Sequence, residues 1–466
     1  MQGRSMTWII LALCLAEASV TFESTMIYVA LPTLIREFGD PVKAGWLVTS
    51  HMLIAAATAP VAGRLGDIMG RRKIIMILMA LALAGSLLSA LTDNFGLILL
   101  GRALQGLSAA VLPLSIGVLR ESLTETKLPL GIGLLTTALG AGAALGMALG
   151  GIIVDQLGWK WLFVASAILL ALSILAVLLA VPGKRGTPTA RPIDWLEGML
   201  PVPGIAAILF ALGLTKQQGW LSPQVLGLIG GGVLVMGWWA RRSLAAQEPF
   251  IDLRLFRDRN FAVANAVTAF LGMGTMQVVL VFSTYIQSPV WVGVGLGATA
   301  TVAGFAKLPS NLTSFFAGPL AGWLTGRAGH RTTVVAACLL GGAGWLVALT
   351  QPGSLVLVIL LLCVISFGTT MLQAAVPNVI VDCAPAARTS EAVGSMSVVR
   401  GISVALGAQI IAVLLASDMV AAPGGGANYS SPAAYRLTMG WIAAMTFGAA
   451  ATALLLRRKG SVKPEA

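Results

Sequence analysis

The chain has 466 residues, of which 57% are hydrophobic and 10% are charged, and its formal net charge is +12. Soluble domains carry about 25% charged residues, so this composition excludes an ordinary soluble protein and predicts an integral membrane protein. The positive charges lie in short segments between apolar runs, without a basic patch interleaved with aromatic residues. We therefore expect no nucleic-acid partner.

The N-terminal apolar run predicts the first spanning helix. It begins at Trp8, after Arg4, and continues to Leu31, which is too long for the hydrophobic region of a cleaved signal peptide. A helix needs about 20 apolar residues to cross the hydrocarbon core of a bilayer. Residues 74–91 and 162–181 are apolar on every face and approach that length. An all-α architecture is expected, because barrel strands would alternate apolar and polar residues.

Fourteen spanning helices are predicted along the chain. Their starts lie near Trp8, Gly45, Ile74, Phe95, Leu130, Trp161, Met199, Pro223, Phe261, Ala298, Thr332, Leu355, Gly394 and Tyr435. An even number places both termini on the same side of the membrane. Most Lys and Arg residues fall in the loops on that side, as in residues 71–73, and the positive-inside rule makes it the cytoplasm. The predicted location is the bacterial inner (plasma) membrane, multi-pass, with both termini cytoplasmic.

An internal repeat indicates two related halves. Residues 60–65, PVAGRL, recur as PLAGWL at residues 319–324, and Gly70 recurs at the same spacing as Gly329. Parallel repeats are typical of transporters whose halves are related about the membrane normal.

The halves are separated by an insertion. The predicted domains are an N-terminal six-helix bundle at 1–181, an insertion at 182–260 and a C-terminal six-helix bundle at 261–466. The insertion holds two extra spanning helices, a cytoplasmic segment and a linker at 184–192 that is rich in Gly, Pro, Thr and Arg. A Gly- and Ser-rich stretch at 421–432 is predicted to be an outside loop.

The most specific motif is the segment 63–73, GRLGDIMGRRK. Its glycines permit a tight loop, and Asp67 and Arg71 lie one helical turn apart and can pair. The segment resembles the signature loop between helices two and three of the major facilitator superfamily. That resemblance implies a fold of two six-helix bundles, here with two inserted helices. It also implies a conformational latch on the cytoplasmic side, formed by Gly63, Asp67, Gly70, Arg71 and Arg72.

Three further segments resemble motifs of the same family. Residues 102–106, RALQG, resemble the fourth-helix motif that is linked to proton transfer, and residues 249–257 resemble the cytoplasmic run before helix seven. The antiporter motif of the fifth helix is represented by Gly142, Gly146, Gly150 and Gly151. With the two-helix insertion, these motifs indicate the fourteen-helix drug:proton antiporter subfamily. Met147 departs from the motif, which has proline there, and Gly326 stands where Asp67 would repeat.

Glu17 and Glu23 are expected to be the only acids in the spans, and both lie in the first helix. Ionisable groups are costly in a membrane and mark proton or substrate pathways. We expect a proton and an incoming cation to compete for the Glu23 carboxylate, with Arg102 tuning the exchange. The family carries Asp about nine residues before the end of its first-helix motif, and Glu23 precedes Pro32 by nine. One alternative makes Glu23 a structural partner of Arg102. Glu17, about 120° around the helix from Glu23, is a second proton-coupling candidate.

The resemblance also implies a substrate cavity, since helices one, four, seven and ten of the family line the pathway. The candidates are Phe22, Tyr28, Gln105, Met273, Met276, Gln277, Met371, Gln373 and Asn378. Each has packing or lipid contact as its alternative. Lys307 and Arg400 are further candidates; Lys307 could instead snorkel to an interface, and Arg400 could pair with a carboxylate or stabilise a helix end. If both line the pathway, an anionic or zwitterionic substrate is favoured.

These features predict a proton-coupled antiporter that exports lipophilic, cationic drugs or metabolites by alternating access. Its partners would be the lipid bilayer, small lipophilic substrates and protons. The proton gradient would supply the energy for transport, and the protein would be a monomer. The alternative is a dedicated exporter or facilitator of one metabolite without proton coupling, and this alternative includes anionic and zwitterionic metabolites. An enzyme is not expected, because the chain has two His and two predicted intramembrane acids. We expect the four cysteines to be free thiols. We also expect no metal site, no nucleotide-binding loop and no cofactor.

Overall fold

The computed structural model describes residues 2–124, 128–183, 200–219, 221–246, 253–383, 389–423 and 428–457. The first helices are α1 (Gln2–Phe38), α2 (Pro41–Met69), α3 (Arg71–Ala90), α4 (Phe95–Gly106), α5 (Val111–Ser122), α6 (Leu128–Leu157) and α7 (Lys160–Ala180). They are followed by α8 (Pro201–Gln218), α9 (Pro223–Ala245), α10 (Arg259–Met273), α11 (Val278–Gln287), α12 (Ala300–Ala306), α13 (Leu308–Ala348), α14 (Leu355–Cys383), α15 (Thr389–Leu415) and α16 (Pro432–Ala453). Short 3-10 turns join α4 to α5 and α10 to α11.

Ten of the described helical segments are long and apolar enough to cross a membrane. They include the bent segments Phe95–Ser122 and Arg259–Gln287 and the long segment Ala300–Ala348. The predicted class, an all-helical membrane protein, is therefore confirmed. The count of fourteen spans and their six-two-six arrangement stay predictions.

The chain packs as two compact units. Unit 1 comprises residues 1–38, 46–202 and 299–305, and unit 2 comprises residues 39–45, 203–298 and 306–466. Most of α8 and all of α9, from the predicted insertion, fall in unit 2. The three-segment domain division stays a prediction.

The core of unit 1 is formed where α1 packs on α6 and α7, and where α3 packs on α4 and α7. Leu13, Ile75, Met79 and Leu170 are fully buried there. Gly85 lets α3 approach α4 closely, because a Cβ added to it would lie 2.5 Å from the carbonyl oxygen of Gly101. Small residues at such crossings are the usual means of close packing between helices in membranes.

The core of unit 2 is formed where α13 packs on α14 and α16, and where α10 packs on α15. Trp345 is fully buried, and its Nε1 donates a hydrogen bond to Thr275 Oγ1 at 3.0 Å. The Thr275 hydroxyl also lies 3.1 Å from the Thr369 hydroxyl. These three buried side chains are therefore joined to one another across helices, which reduces the cost of burying polar groups in a low-dielectric interior.

Gly70 and Gly329, the matched glycines of the sequence repeat, have similar backbone conformations. Gly70 separates α2 from α3 with φ 95° and ψ 127°, and Gly329 interrupts α13 with φ 83° and ψ 164°. Positive φ favours glycine, since it has no Cβ. The 41-residue element α13 is thus two helices joined at Gly329, where the sequence predicted a boundary between two spans.

The predicted loops are described only in part. Residues 184–192 and 249–252 lie outside the described residues. Leu253–Arg257 forms a 3-10 turn, and Arg254 Nη2 donates to the carbonyl oxygen of Leu244 at 2.8 Å at the end of α9. The predicted 421–432 loop includes part of an antiparallel pair of strands, β1 (Met419–Ala421) and β2 (Asn428–Ser430).

Candidate proton-coupling site

Glu23 lies in the middle of α1 and its residue surface is completely buried. Its Oε2 accepts a hydrogen bond from Ser108 Oγ at 3.2 Å. Its Oε1 is buried and has no hydrogen-bond partner among the described residues. A buried ionised carboxylate requires a cation or several donors; here the Ser108 hydroxyl donates to it, and the positive charge of Arg102 lies close enough to interact with it. Gain or loss of a proton at Glu23 would therefore change the charge inside the buried interior of unit 1.

Arg102 is fully buried beside Glu23. Its Nε donates to the carbonyl oxygen of Leu47 at 2.9 Å, and its Nη1 donates to the Glu23 carbonyl oxygen at 3.3 Å and to Gln105 Oε1 at 2.7 Å. Gln105 Nε2 in turn donates to Ser86 Oγ at 2.7 Å. Each of these side-chain hydrogen bonds ends on a neutral oxygen. Arg102 thus contacts the backbone of Glu23 and is anchored across α1, α2, α3 and α4.

Glu17 is the second buried acid, and its residue is 1% exposed. Its Oε1 accepts a hydrogen bond from Ser115 Oγ at 2.9 Å. Glu17 and Glu23 therefore both contact the bent segment from α4 to α5, through Ser115 and Ser108. The structure brings both predicted proton-coupling acids to this segment, although their directions differ by about 120° around α1.

The prediction that these two are the only acids in the spans is wrong. The candidate spans extend further than the apolar runs alone indicated, and their ends include Glu37, Glu121, Asp155 and Asp382. All four are exposed. They lie at or near the ends of their helices, beyond the apolar runs. Glu17 and Glu23 are the buried acids among them.

The fifth-helix glycines hold α6 directly against α1. A Cβ on Gly142 would overlap the backbone of Ala18, and one on Gly146 would lie 2.8 Å from the carbonyl oxygen of Phe22. Gly150 faces Val29 at 3.1 Å. These glycines recur every four residues and so lie on one helix face. Their close approach fixes the stretch of α1 that carries Glu23.

A second face of α6 contacts the segment 299–305 within unit 1. A Cβ on Gly151 would overlap the backbone of Ala300. Asp155, which sequence reasoning missed, accepts hydrogen bonds from the backbone N–H groups of Ala300 at 3.1 Å and Thr301 at 2.7 Å. No sequence signal links Asp155 to residues so distant along the chain.

Met147 stands where the family motif has proline, and α6 runs through this position as one helix.

The candidate latch contains an ion pair that the sequence did not predict. Arg71 Nη1 lies 3.0 Å from Glu121 Oε1, and its side chain crosses Gly117, where a Cβ would lie 2.5 Å from Arg71 Nε. Arg72 Nη2 donates to the carbonyl oxygen of Leu178 at 2.6 Å. Gly63 has open space around it. The side chain of Asp67 lies outside what the structure describes, so its pairing with Arg71 stays a prediction.

Replacing Arg71 and Glu121 by glutamine, singly and together, is expected to reveal a weak coupling. The two side chains are 26% and 37% exposed, so the coupling free energy should be about 0.2–1 kcal/mol. Thermal unfolding of the four purified proteins in detergent measures it. Additive effects of the two single changes would contradict a stabilising ion pair.

The cavity candidates fall into three groups of exposure. Phe22, Gln105, Gln277 and Met371 are buried inside their own units. Tyr28, Met273 and Met276 are partly buried, and Gln373, Asn378 and Arg400 are exposed. The amide of Gln277 donates from Nε2 to the carbonyl oxygens of Gly272 and Val404, both at 2.9 Å. The side chains of the exposed group are accessible to molecules outside their unit.

The ammonium group of Lys307 is hydrogen-bonded inside unit 2. The residue is 9% exposed, and its Nζ donates to Ser310 Oγ at 2.7 Å and to Ser366 Oγ at 2.5 Å. Its charge therefore sits inside unit 2, between the start of α13 and the middle of α14.

Comparison with known sequences places these features in a family. The model of the Major Facilitator Superfamily matches residues 13–408. Multidrug resistance protein Stp of Mycobacterium tuberculosis is 28% identical over 409 residues, which are 85% of this chain and 74% of Stp. Multidrug transporter protein MdtP of Bacillus subtilis is 24% identical over 348 residues, 74% of this chain and 63% of MdtP. The match thus spans less than two thirds of MdtP.

Solved structures show the same fold. A crystal structure of the peptide transporter POT in complex with sulfate superposes with a TM-score of 0.68 at 15% identity, over 96% of this chain and 93% of that chain. The human organic anion transporter MFSD10 (TETRAN) gives a TM-score of 0.58 at 14% identity, over 96% of this chain and 99% of that chain. At these identities the likeness concerns the fold alone.

Proposed function

This chain belongs to the Major Facilitator Superfamily, and on that basis we propose that it exports lipophilic cations in exchange for protons. The names of Stp and MdtP support drug export. The observation that carries proton coupling is Glu23, a fully buried carboxyl group with one neutral hydrogen-bond partner. The proposal includes the fourteen-helix drug:proton antiporter subfamily, a bacterial inner-membrane location with cytoplasmic termini, a monomer, and no cofactor besides the proton gradient.

The proposed exchange takes place at one carboxyl group. Glu23 takes up a proton from the outside and releases it towards the cytoplasm, where a substrate cation then binds the carboxylate. Arg102 is held beside Glu23 by hydrogen bonds to neutral oxygens, and its positive charge stabilises the ionised carboxylate once the proton has left. Proton and substrate exclude each other because both need this one carboxylate. In this proposal neither crosses without the other, which is the condition for antiport.

Proton release from acid-loaded everted vesicles tests this function. Addition of lipophilic cations such as tetraphenylphosphonium or ethidium should discharge the proton gradient, which a pH-sensitive dye reports as fluorescence recovery. Vesicles without the protein should show no such recovery. If a broad panel of cations gives no response while the folded protein is present in the membrane, cation/proton antiport is wrong.

A dedicated exporter or facilitator of an anionic or zwitterionic compound is the second candidate. It is favoured by two positively charged residues in unit 2, the buried Lys307 and the exposed Arg400. In the same vesicles, uptake of a carboxylate-bearing compound that persists after the proton gradient is collapsed would support this candidate.

A further inference from the structure

Lys307 occupies an unusual place for a charged side chain. It forms the turn between α12 and α13, and its Nζ is held by hydroxyl groups on two helices, Ser310 of α13 and Ser366 of α14. The residues Lys307, Ser310 and Ser366 are 9%, 0% and 5% exposed. A cation in such surroundings is stable only with an anionic partner or strong solvation.

The described acids of unit 2 are engaged elsewhere. Asp40 and Asp258 accept hydrogen bonds from the backbone N–H groups of Val42 and Phe261. Asp382 contacts His330 at 2.9 Å, and Asp418 accepts from Ser431 at 2.5 Å. Among the described residues, no carboxylate forms an ion pair with Lys307. Its positive charge therefore has no counter-charge in the described part of unit 2.

Two hydrogen-bond donors at this place have no acceptor among the described residues. A lysine ammonium has three N–H donors, and two of those of Lys307 point to Ser310 and Ser366. The Ser310 hydroxyl donates back to the Lys307 carbonyl oxygen at 2.8 Å. The Ser366 oxygen accepts from Lys307, and its own hydrogen has no described acceptor. One N–H of Lys307 and the O–H of Ser366, which belong to hydrogen-bonded neighbours, thus both lack a described acceptor.

We propose that Lys307 and Ser366 bind a single monovalent anionic group. One positive charge and two neighbouring donors match a small acceptor with one negative charge, either chloride from solution or the carboxylate of a transported compound. A phosphate dianion would need further positive charge that the described site does not offer. The carboxylate source rests on the proposed transport function, whereas the chloride source is independent of it.

Thermal unfolding of the purified chain in detergent tests the site without any transport assay. The midpoint is measured while sodium chloride or sodium acetate replaces sodium isethionate at constant ionic strength. Occupation of the site stabilises the folded state by mass action, so the wild type should show a saturable rise of a few degrees. A rise in chloride alone identifies a halide site, and a rise in acetate identifies a carboxylate site.

Three variants assign the effect. Lys307→Met should abolish the anion-dependent rise, and Ser366→Ala should weaken it, because each removes one donor. Lys160→Met is the matched control, since Lys160 pairs with Asp93 at the other unit's surface, and it should keep the full rise. Equal midpoints of the wild type in all three salts, or an unchanged rise in both Lys307→Met and Ser366→Ala, would overturn the proposal. If Lys307→Met does not fold, Ser366→Ala alone decides. Loss of the rise does not bear on cation/proton antiport, which the vesicle experiment tests separately.

Discussion

Replacing Glu23 by glutamine is expected to reduce proton-driven export of cations to the level of vesicles without the protein. Glutamine has nearly the same shape and can still accept the hydrogen bond from Ser108, so the fold should persist. Its amide neither takes up nor releases a proton, and it cannot neutralise a bound cation. The loss should therefore be complete, because both halves of the exchange use one carboxyl group. Dye recovery in acid-loaded everted vesicles measures it.

Two further variants make this expectation specific. Glu37→Gln changes an exposed glutamate of the same helix and should leave export unchanged. Glu23→Asp keeps the carboxyl group with a shorter reach, so part of the activity should return. Export by Glu23→Gln at the wild-type rate would assign the proton elsewhere, and Glu17 would then be the remaining buried carboxyl candidate of unit 1 described here.

Substituting Gly142 by alanine adds only one methyl group, but it is expected to destabilise the folded protein strongly. The added Cβ would overlap the backbone and the Thr21 side chain on α1, and backbone cannot move aside as a flexible side chain can. Overpacking of this kind costs about 1–3 kcal/mol, occasionally more. The helix pair α1 and α6 should separate locally, which also displaces Glu23. The midpoint of thermal unfolding and the export rate should both fall.

Gly140→Ala is the matched control in the same helix. Nothing lies within 4 Å of a Cβ at Gly140, so the same chemical change meets open space there. Alanine favours helix over glycine by roughly 0.5–1 kcal/mol, and a small stabilisation is expected. If the two variants unfold at the same temperature, close packing of α6 on α1 is not what Gly142 provides.

The local features of this fold could be predicted from the sequence. Apolar length located α4, α7 and α9 at or next to their observed first residues, Phe95, Lys160 and Pro223. The repeat pointed to Gly329, and the structure gives it a positive φ similar to that of Gly70. Helix starts and the glycine break could be predicted because apolar length and backbone conformation depend on residues that are neighbours in the chain.

The partners within the site could not be predicted in the same way. Glu121 is 50 positions from Arg71, and Asp155 is 145 positions from the backbone N–H of Ala300. Local patterns carry no record of such pairings, which arise when helices pack. Arg102 is an example: the sequence suggested that it acts with Glu23, but it could not indicate the hydrogen bonds that Arg102 donates to the carbonyl oxygens of Glu23 and Leu47 and to the Gln105 side chain.

Proton release from the purified protein tests the central claim most directly. The protein is held in detergent in weakly buffered solution near neutral pH, and a lipophilic cation is added while a pH-sensitive dye is followed. Competition at Glu23 predicts that the wild type releases protons in a saturable manner as the cation binds and that Glu23→Gln releases none. Equal release by both proteins, or cation binding by the wild type without any release, would contradict exchange at this carboxyl group.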